Sequence, residues 1–356
     1  MSKPRLIAFY LPQFYPTKEN DEWWQKGFTE WTNVGSAKPL FKGHCQPRVP
    51  ADLGYYDLRV PEVREEQAQL AREAGIEGFC YWHYWFAGRR LLDRVFREVV
   101  EDGKPDYPFC LCWANHSWYQ KTWDHTKPDK LLIEQTYPGK LDYIEHFNAM
   151  LPAFRDKRYI KVDDKLLFGI YDPIRFDDFE CFSDVWNDLA AKNGLNGFYF
   201  YGFTFRPSLV ETILDKGYSS VVVDNIAEFK DSDTSLRERL LRRFFHRPKV
   251  LYYDDYSKWI LTHFNVKNNV HPCVNPNFDH SPRSGERGVI ICDHTPKKWE
   301  SLLKDIFQKC KDRPDANNLV FIKAWNEWGE GNYLEPDMQY GKGFIQSTRR
   351  SLDAFI

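Results

Sequence analysis

The 356-residue sequence contains no apolar run near the roughly 18 residues of a membrane-spanning helix, so no membrane span is expected. Met1 to Arg5 lead directly into Leu6 to Phe9, too short an apolar core for a signal peptide, and a cytoplasmic location is the expectation. Excess charge of either sign is also missing. Lys and Arg total 49 against 51 Asp and Glu, a net charge of −2, which leaves no global field to gather nucleic-acid phosphates and excludes nucleic acid as a partner. None of the eight cysteines forms Cys-x-x-Cys, and Cys80, Cys110, Cys112, Cys273 and Cys292 lie in apolar, strand-like runs, so they read as buried reduced thiols. His-x-x-x-His and His-Glu-x-x-His are absent and Asp124-His125 is a lone pair; no metal, cofactor or protein partner is expected. Gly-x-Ser-x-Gly and the P-loop are absent too, which argues against a hydrolase elbow and nucleotide-phosphate chemistry. There is no repeat, low-complexity tract or Gly/Ser linker, and a single domain over residues 1–356 is expected.

Aromatic residues, by contrast, are abundant. The 13 Trp, 20 Tyr and 27 Phe make up 17% of the chain, more than a core needs, and point to a surface that stacks flat, partly apolar ligands such as sugars.

Eight short, nearly continuous apolar runs recur: Leu6 to Leu11, Gly78 to His83, Phe109 to Trp113, Leu166 to Tyr171, Gly197 to Gly202, Ser220 to Asp224, His271 to Val274 and Leu319 to Trp325. Runs without alternation fit parallel strands covered on both faces. Helical patterns separate them, the first opened by Pro61 and stopped by Gly75, the last running from Lys342 to Phe355. Eight strands alternating with eight helices predict an α/β fold, a (β/α)8 TIM barrel; the alternative, a doubly wound open sheet, would carry a Gly-rich turn where Leu11 to Pro16 stand. The connections after strands one and three are the long ones, about Pro12 to Leu58 and Ala114 to Asp142, and both are aromatic-rich.

Barrel active sites lie at the C-terminal strand ends, and strand eight ends in Ala324-Trp325-Asn326-Glu327-Trp328-Gly329-Glu330-Gly331. Two carboxylates three residues apart, with Trp325 and Trp328 as apolar walls that raise one carboxyl pKa, meet the requirement of glycosidic cleavage for an acid and a base in one pocket. Glu327 and Glu330 are the candidate catalytic pair. Candidate substrate-binding residues at the other strand ends are Tyr10 and Gln13, His83 and Tyr84, Trp113, Asn115, His116 and Trp118, Asp224, Asn275 and Asp279, with Trp31, Trp325, Asn326 and Trp328. The basic segment Arg237 to Arg247 reads as a solvated helix, the alternative being weak association with an anionic membrane surface.

Phe9-Tyr10-Leu11-Pro12-Gln13-Phe14, Asn20 to Trp24, Gly27 to Val34, Leu111 to Asn115 and Trp325 to Gly331 with Leu334-Glu335-Pro336 resemble the WbsX family of polysaccharide and O-antigen biosynthesis loci, labelled glycosyltransferase. The barrel and the Glu-Trp-x-Glu-Gly segment are similar to glycoside hydrolase family 99, of the endo-α-mannosidase type. That resemblance implies a base at Glu327, acting on the sugar 2-hydroxyl, and a general acid at Glu330. Asn115-His116-Ser117-Trp118 departs from the Asn-Glu-Asn-Trp common in the family, which removes a carboxylate at His116. The expected function is cleavage or transfer at a glycosidic linkage of a poly- or oligosaccharide, with retention. A sugar-nucleotide-dependent glycosyltransferase of O-antigen biosynthesis and a non-catalytic glycan-binding barrel are the alternatives.

Overall fold

The computed structural model describes residues 2–120, 129–231 and 248–355. Arg237 to Arg247 and the Asp124-His125 pair of the third connection lie outside the described residues. Eight strands form the barrel: β1 (Arg5–Tyr10), β2 (Gly78–His83), β3 (Phe109–Trp113), β4 (Lys165–Ile170), β5 (Phe198–Thr204), β6 (Ser220–Asp224), β7 (Val270–Val274) and β8 (Leu319–Ile322). Each pairs in parallel with the next, and β8 pairs with β1 at Arg5 opposite Leu319, so the sheet closes as the alternating pattern predicts.

Helices cover the outside. Pro296–Cys310 shows why such segments are helical and where they dock. Thr295 accepts from the Lys298 amide as N-cap and Pro296 occupies the first turn, while Trp299, Leu302, Leu303, Ile306 and Phe307 recur at helical spacing and are buried. Burying each such side chain stabilises by about 1.5–3 kcal/mol. Trp299 also donates its indole N–H to Thr348 of the helix Gly343–Asp353.

Strand parity decides which side chains reach the barrel interior. Phe9 of β1 touches Phe203 of β5, across the barrel, and stacks on Trp82 of β2 at 4.6 Å, so Phe9 and Trp82 point inward. Their neighbours Tyr10 and His83 therefore point outward; Tyr10 donates to Gln67 of the helix Pro61–Ala74, and His83 meets His146 of the helix Lys140–Phe154.

One region was not legible as structure in the sequence. A stretch between β6 and β7 and two stretches between β7 and the helix Pro296–Cys310 assemble a small extra sheet in which Val289–Cys292 pairs with Lys249–Tyr252 and with Phe278–Asp279. The strands are only two to four residues long, too short for their pattern to stand out.

Candidate active site

A cleft of about 490 Å3 opens at the C-terminal mouth of the barrel, and the two long connections meet over it. Trp23 from the first and Trp118 from the third stand edge to face at 5.9 Å, and Trp24 and Tyr119 also line the opening. Local capping aims the first connection: Thr29 and Thr32 form a capping box that starts the helix Glu30–Ser36 and sets Glu30, in its first turn, against the cleft.

The floor belongs to the segment that follows β8. Lys323, Glu327 and Glu330 all line the cleft and all are at least largely buried. Lys323 Nζ lies 3.0 Å from Glu330 Oε2 and 3.8 Å from Glu327 Oε2. Contacts from a single nitrogen bound the separation of those two oxygens by their sum, 6.8 Å. Glu327 Oε1 accepts the indole N–H of Trp82 at 2.9 Å. Glu330 Oε1 takes Arg283 Nη1 at 2.6 Å, and the same guanidinium reaches Glu30 through Nη2 at 3.0 Å.

These partners separate the two glutamates. Burial pushes the Glu327 carboxyl up to about 7 against the pull of Lys323, and the neighbouring Glu330 charge pushes the same way. Burial also opposes ionisation of Glu330, but Lys323 and Arg283 at contact distance outweigh it and hold that carboxyl well below the usual range. Lys323 is buried deeply enough to lose its proton, yet the Glu327 and Glu330 charges keep it cationic. The substrate-free cleft thus carries one carboxylate fixed as an anion and one that holds or releases a proton near neutrality.

Two glycines make the turn possible. Gly331 has φ of +53°, and a Cβ there would stand 2.7 Å from that of Asp279. At Gly329 a Cβ would collide with the Glu30 carboxylate and approach Arg283, so a side chain there would push the ion pair aside.

Residues 6–348 match the family described as "Glycosyltransferase WbsX". The chain belongs to the WbsX family. A protein WxcX of Xanthomonas campestris pv. campestris is 37% identical over 353 residues, covering 98% of this chain; the chain spans about half the length of the curated relatives it matches, 49% in this case. Among solved structures, a glycoside hydrolase-like protein aligns with TM-score 0.65 at 13% identity over 99% of this chain and 94% of the other. The GH99 endo-alpha-mannosidase from Bacteroides thetaiotaomicron aligns with TM-score 0.58 at 14% identity over 100% and 98%. At these identities the structural likeness is one of fold, and it agrees with the closed parallel barrel.

Of the residues singled out from the WbsX-like sequence, the cleft brings together Glu327, Glu330, Gln13, Tyr84, His116 and Trp118. His116, where the resemblance leads one to expect a glutamate, leans on Tyr171 at 4.9 Å, and burial lowers the pKa of its imidazole. The other candidates serve the frame. Tyr10 and His83 face the helices, and burial drives His83 down to about 3, so its bond with His146 joins two neutral rings. Trp113 is fully buried and donates to the Trp85 carbonyl; Asn115 bridges Tyr137 and the Asp172 backbone. Asp224 and Asn275 bond each other in the interior, and Asp279 accepts from His44, Gln46 and the Ser281 amide. Asn326 clamps both backbone groups of Leu11. Trp31 donates to the Tyr56 carbonyl and packs on Trp328, which stacks on Tyr333. Trp325 is wholly enclosed and touches Phe79.

The tryptophans of the Glu-Trp-x-Glu-Gly segment were expected to wall the catalytic carboxylates; Trp328 instead donates to Glu335 at 2.6 Å, and Trp82 takes the expected place beside Glu327. Cleft residues that were not singled out include Trp82, Tyr171, Glu30, Arg283 and Lys323. Strand parity was the available signal for Trp82. Lys323 stood four residues before Glu327 inside a run read as nearly continuously apolar, where a lone lysine was itself informative.

Proposed function

We propose that the chain breaks a glycosidic linkage of an oligo- or polysaccharide, by hydrolysis or transfer and with retention, through Glu327 and Glu330. The observation that carries the reading is the pair of glutamates sharing one buried lysine at the floor of an aromatic-walled cleft, one held as an anion and the other titrating near neutrality. Two carboxyls driven apart in this way are what an acid and a base in one pocket require. The 6.8 Å bound on the two oxygens that face Lys323 is compatible with the roughly 5 Å carboxyl separation of retaining enzymes, and retention is proposed from the family resemblance.

The resemblance implies Glu327 as base and Glu330 as acid. The charges of this cleft favour the converse: Glu327 holds the proton a leaving oxygen needs, and Glu330, ion-paired twice, supplies the negative charge that activates or forms the nucleophile. Gln13, His116 and the rings of Tyr84 and Trp118 are the contacts proposed for the sugar.

The test is a panel of defined oligosaccharides incubated with the protein, with and without nucleotide-sugars, and scored for new reducing ends and for elongated products. Cleavage or sugar exchange without nucleotide-sugar supports the reading. Products formed only with a nucleotide-sugar would favour the sugar-nucleotide-dependent transferase that the family description suggests, and binding without any product would favour a glycan-binding barrel.

A further inference from the structure

A buried lysine needs a reason, and Lys323 has one that lies between the two glutamates. Its residue sits at the end of β8, only 6% exposed, with its ammonium 3.0 Å from Glu330 and 3.8 Å from Glu327 and its end 5.8 Å from the centre of the Phe205 ring. Glu327 and Glu330 are otherwise treated unequally. The hydrogen-bond partner of Glu327 is the uncharged indole of Trp82, whereas Glu330 has, besides Lys323, the guanidinium of Arg283. Arg283 divides its charge with Glu30, so Lys323 is the cation that both catalytic carboxyls share and that no third carboxylate contacts among the described residues.

We propose that Lys323 is a positioning residue that fixes the division of charge between the two glutamates, holding Glu330 as the anion and leaving the shared proton on Glu327. The proposal rests on the reading of Glu327 and Glu330 as the acid/base pair. Other charged and titratable groups face Lys323 and Glu330 from every side: Arg283 and His280 from the connection after β7, Asp224 from the end of β6, Lys230 from the connection after β6, Tyr171 from just past β4 and Glu327 itself. Arg283 and Lys230 remain when Lys323 is changed, so the anion is weakened but not abandoned. An opposite charge at this distance moves a carboxyl titration by about one to three pH units, which sets the size of the effect.

The experiment reads charge without substrate. The protein is labelled with glutamate carrying 13C at the side-chain carboxyl, the two resonances are assigned by their loss in Glu327→Gln and Glu330→Gln, and wild type, Lys323→Met and Lys323→Arg are titrated by NMR. In wild type the Glu330 signal should ionise at much lower pH than that of Glu327. Lys323→Met should raise the Glu330 midpoint by about one unit or more and narrow the gap, and Lys323→Arg should restore most of it. Lys323→Gln, whose amide still donates to Glu330 without the charge, substitutes if the methionine variant fails to fold. On a cleaved glycan, the acidic limb of kcat/KM should move upward by the same amount in the uncharged variants. An unchanged gap in a folded uncharged variant overturns the proposal, and so does an arginine variant that behaves like methionine. A shifted gap in a protein that turns over no glycan would instead leave the charge device standing and remove the proposed function.

Discussion

The connection after β7 and the segment after β8 both place carboxylates at the same barrel mouth, and only one of them feeds the cleft. Asp279 is completely buried and accepts from three donors: the His44 imidazole, whose other nitrogen takes the Leu40 amide, the Gln46 amide and the Ser281 backbone. Its lone pairs are committed to tying the first long connection to the seventh. Glu327 and Glu330 are nearly as buried, yet their partners are two cations and one indole, and both line the opening. Position at a strand end is therefore not what separates a carboxylate open to the cleft from a structural one. Saturation by neutral donors anchors a carboxylate in the frame, while opposing charges beside an open volume leave it chemistry to perform.

The largest expected effect breaks the cleft side of that contrast. Glu327→Gln and Glu330→Gln should each lower turnover of a natural glycan by roughly 100-fold or more, the scale of proton-transfer assistance, with melting temperature little changed. If Glu327 is the donor, an activated aryl glycoside should recover most of the loss in Glu327→Gln and little of that in Glu330→Gln, because a good leaving group replaces an acid but not nucleophile activation. Rescue of Glu330→Gln alone would restore the roles implied by the family resemblance. Equal, small losses for both on both substrates would make the pair structural.

Asp279→Asn tests the frame side and should do the reverse. Its new amide N–H group faces donors from His44 and Gln46, and leaving buried donors unmatched costs about 1–3 kcal/mol, read as a lower urea midpoint, while turnover per folded molecule stays within a few-fold. Burial opposes its charge, but the bonds from His44 and the Arg48 charge hold the Asp279 carboxyl below its ordinary 3.8. The stability it supplies is thus present above that value and lost as pH falls through the lower folded one.

Glu335 sharpens the comparison from a third direction, since it too is saturated by neutral donors, Trp328, Tyr56 and Gln67, but has no cation at contact distance among the described residues. Burial pushes it up from 4.5 to about 7. A raised folded-state value means that the native state binds the proton more tightly, so its contribution is complete below 4.5 and lost as pH rises through about 7. Glu335→Gln should flatten the fall in stability across that window, measured by urea unfolding at several pH values; an unaltered slope would show that Glu335 is ionised in the fold.

The barrel was legible because each of its strands is a short apolar run and each helix has the 3.6-residue period; β2, β3 and β6 fall where the runs predict them, and the other strands within one or two residues save the β8 run, which stops three early at Ile322. The carboxylate pair proposed as catalytic was singled out from one motif, and both members line the cleft. The remaining wall was misassigned largely through parity. Tyr10, His83 and Trp113 were taken from strand ends where the inward residues are their neighbours Phe9, Trp82 and Cys112, and a single inward anchor would have shifted all three. Arg283, Glu30 and Lys323 belong to three distant segments, and no spacing in one chain encodes that two of them close on Glu330 and the third on Arg283.

The smallest expected effect concerns the rim. Trp24 is 45% exposed and lines the cleft beside Trp23, resting on Phe28 at 5.6 Å, whereas Trp328 is enclosed against Tyr333 at 3.7 Å. An exposed ring in contact with the open volume contributes through whatever stacks on it; an enclosed one contributes through the fold. Trp24→Ala should therefore leave the urea midpoint unchanged and raise KM for a long glycan by roughly two- to ten-fold, the range that an aromatic contact of about 0.5–1.5 kcal/mol supplies. Turnover number should hold, because binding lost equally from the ground state and the transition state leaves kcat alone. The effect should also shrink with glycan length, since a short substrate seated at Glu327 and Glu330 does not extend to the rim. A KM change independent of length would place Trp24 against the sugar at the reacting bond, and a fall in kcat would mean that this ring helps position the two glutamates through the first connection and Glu30.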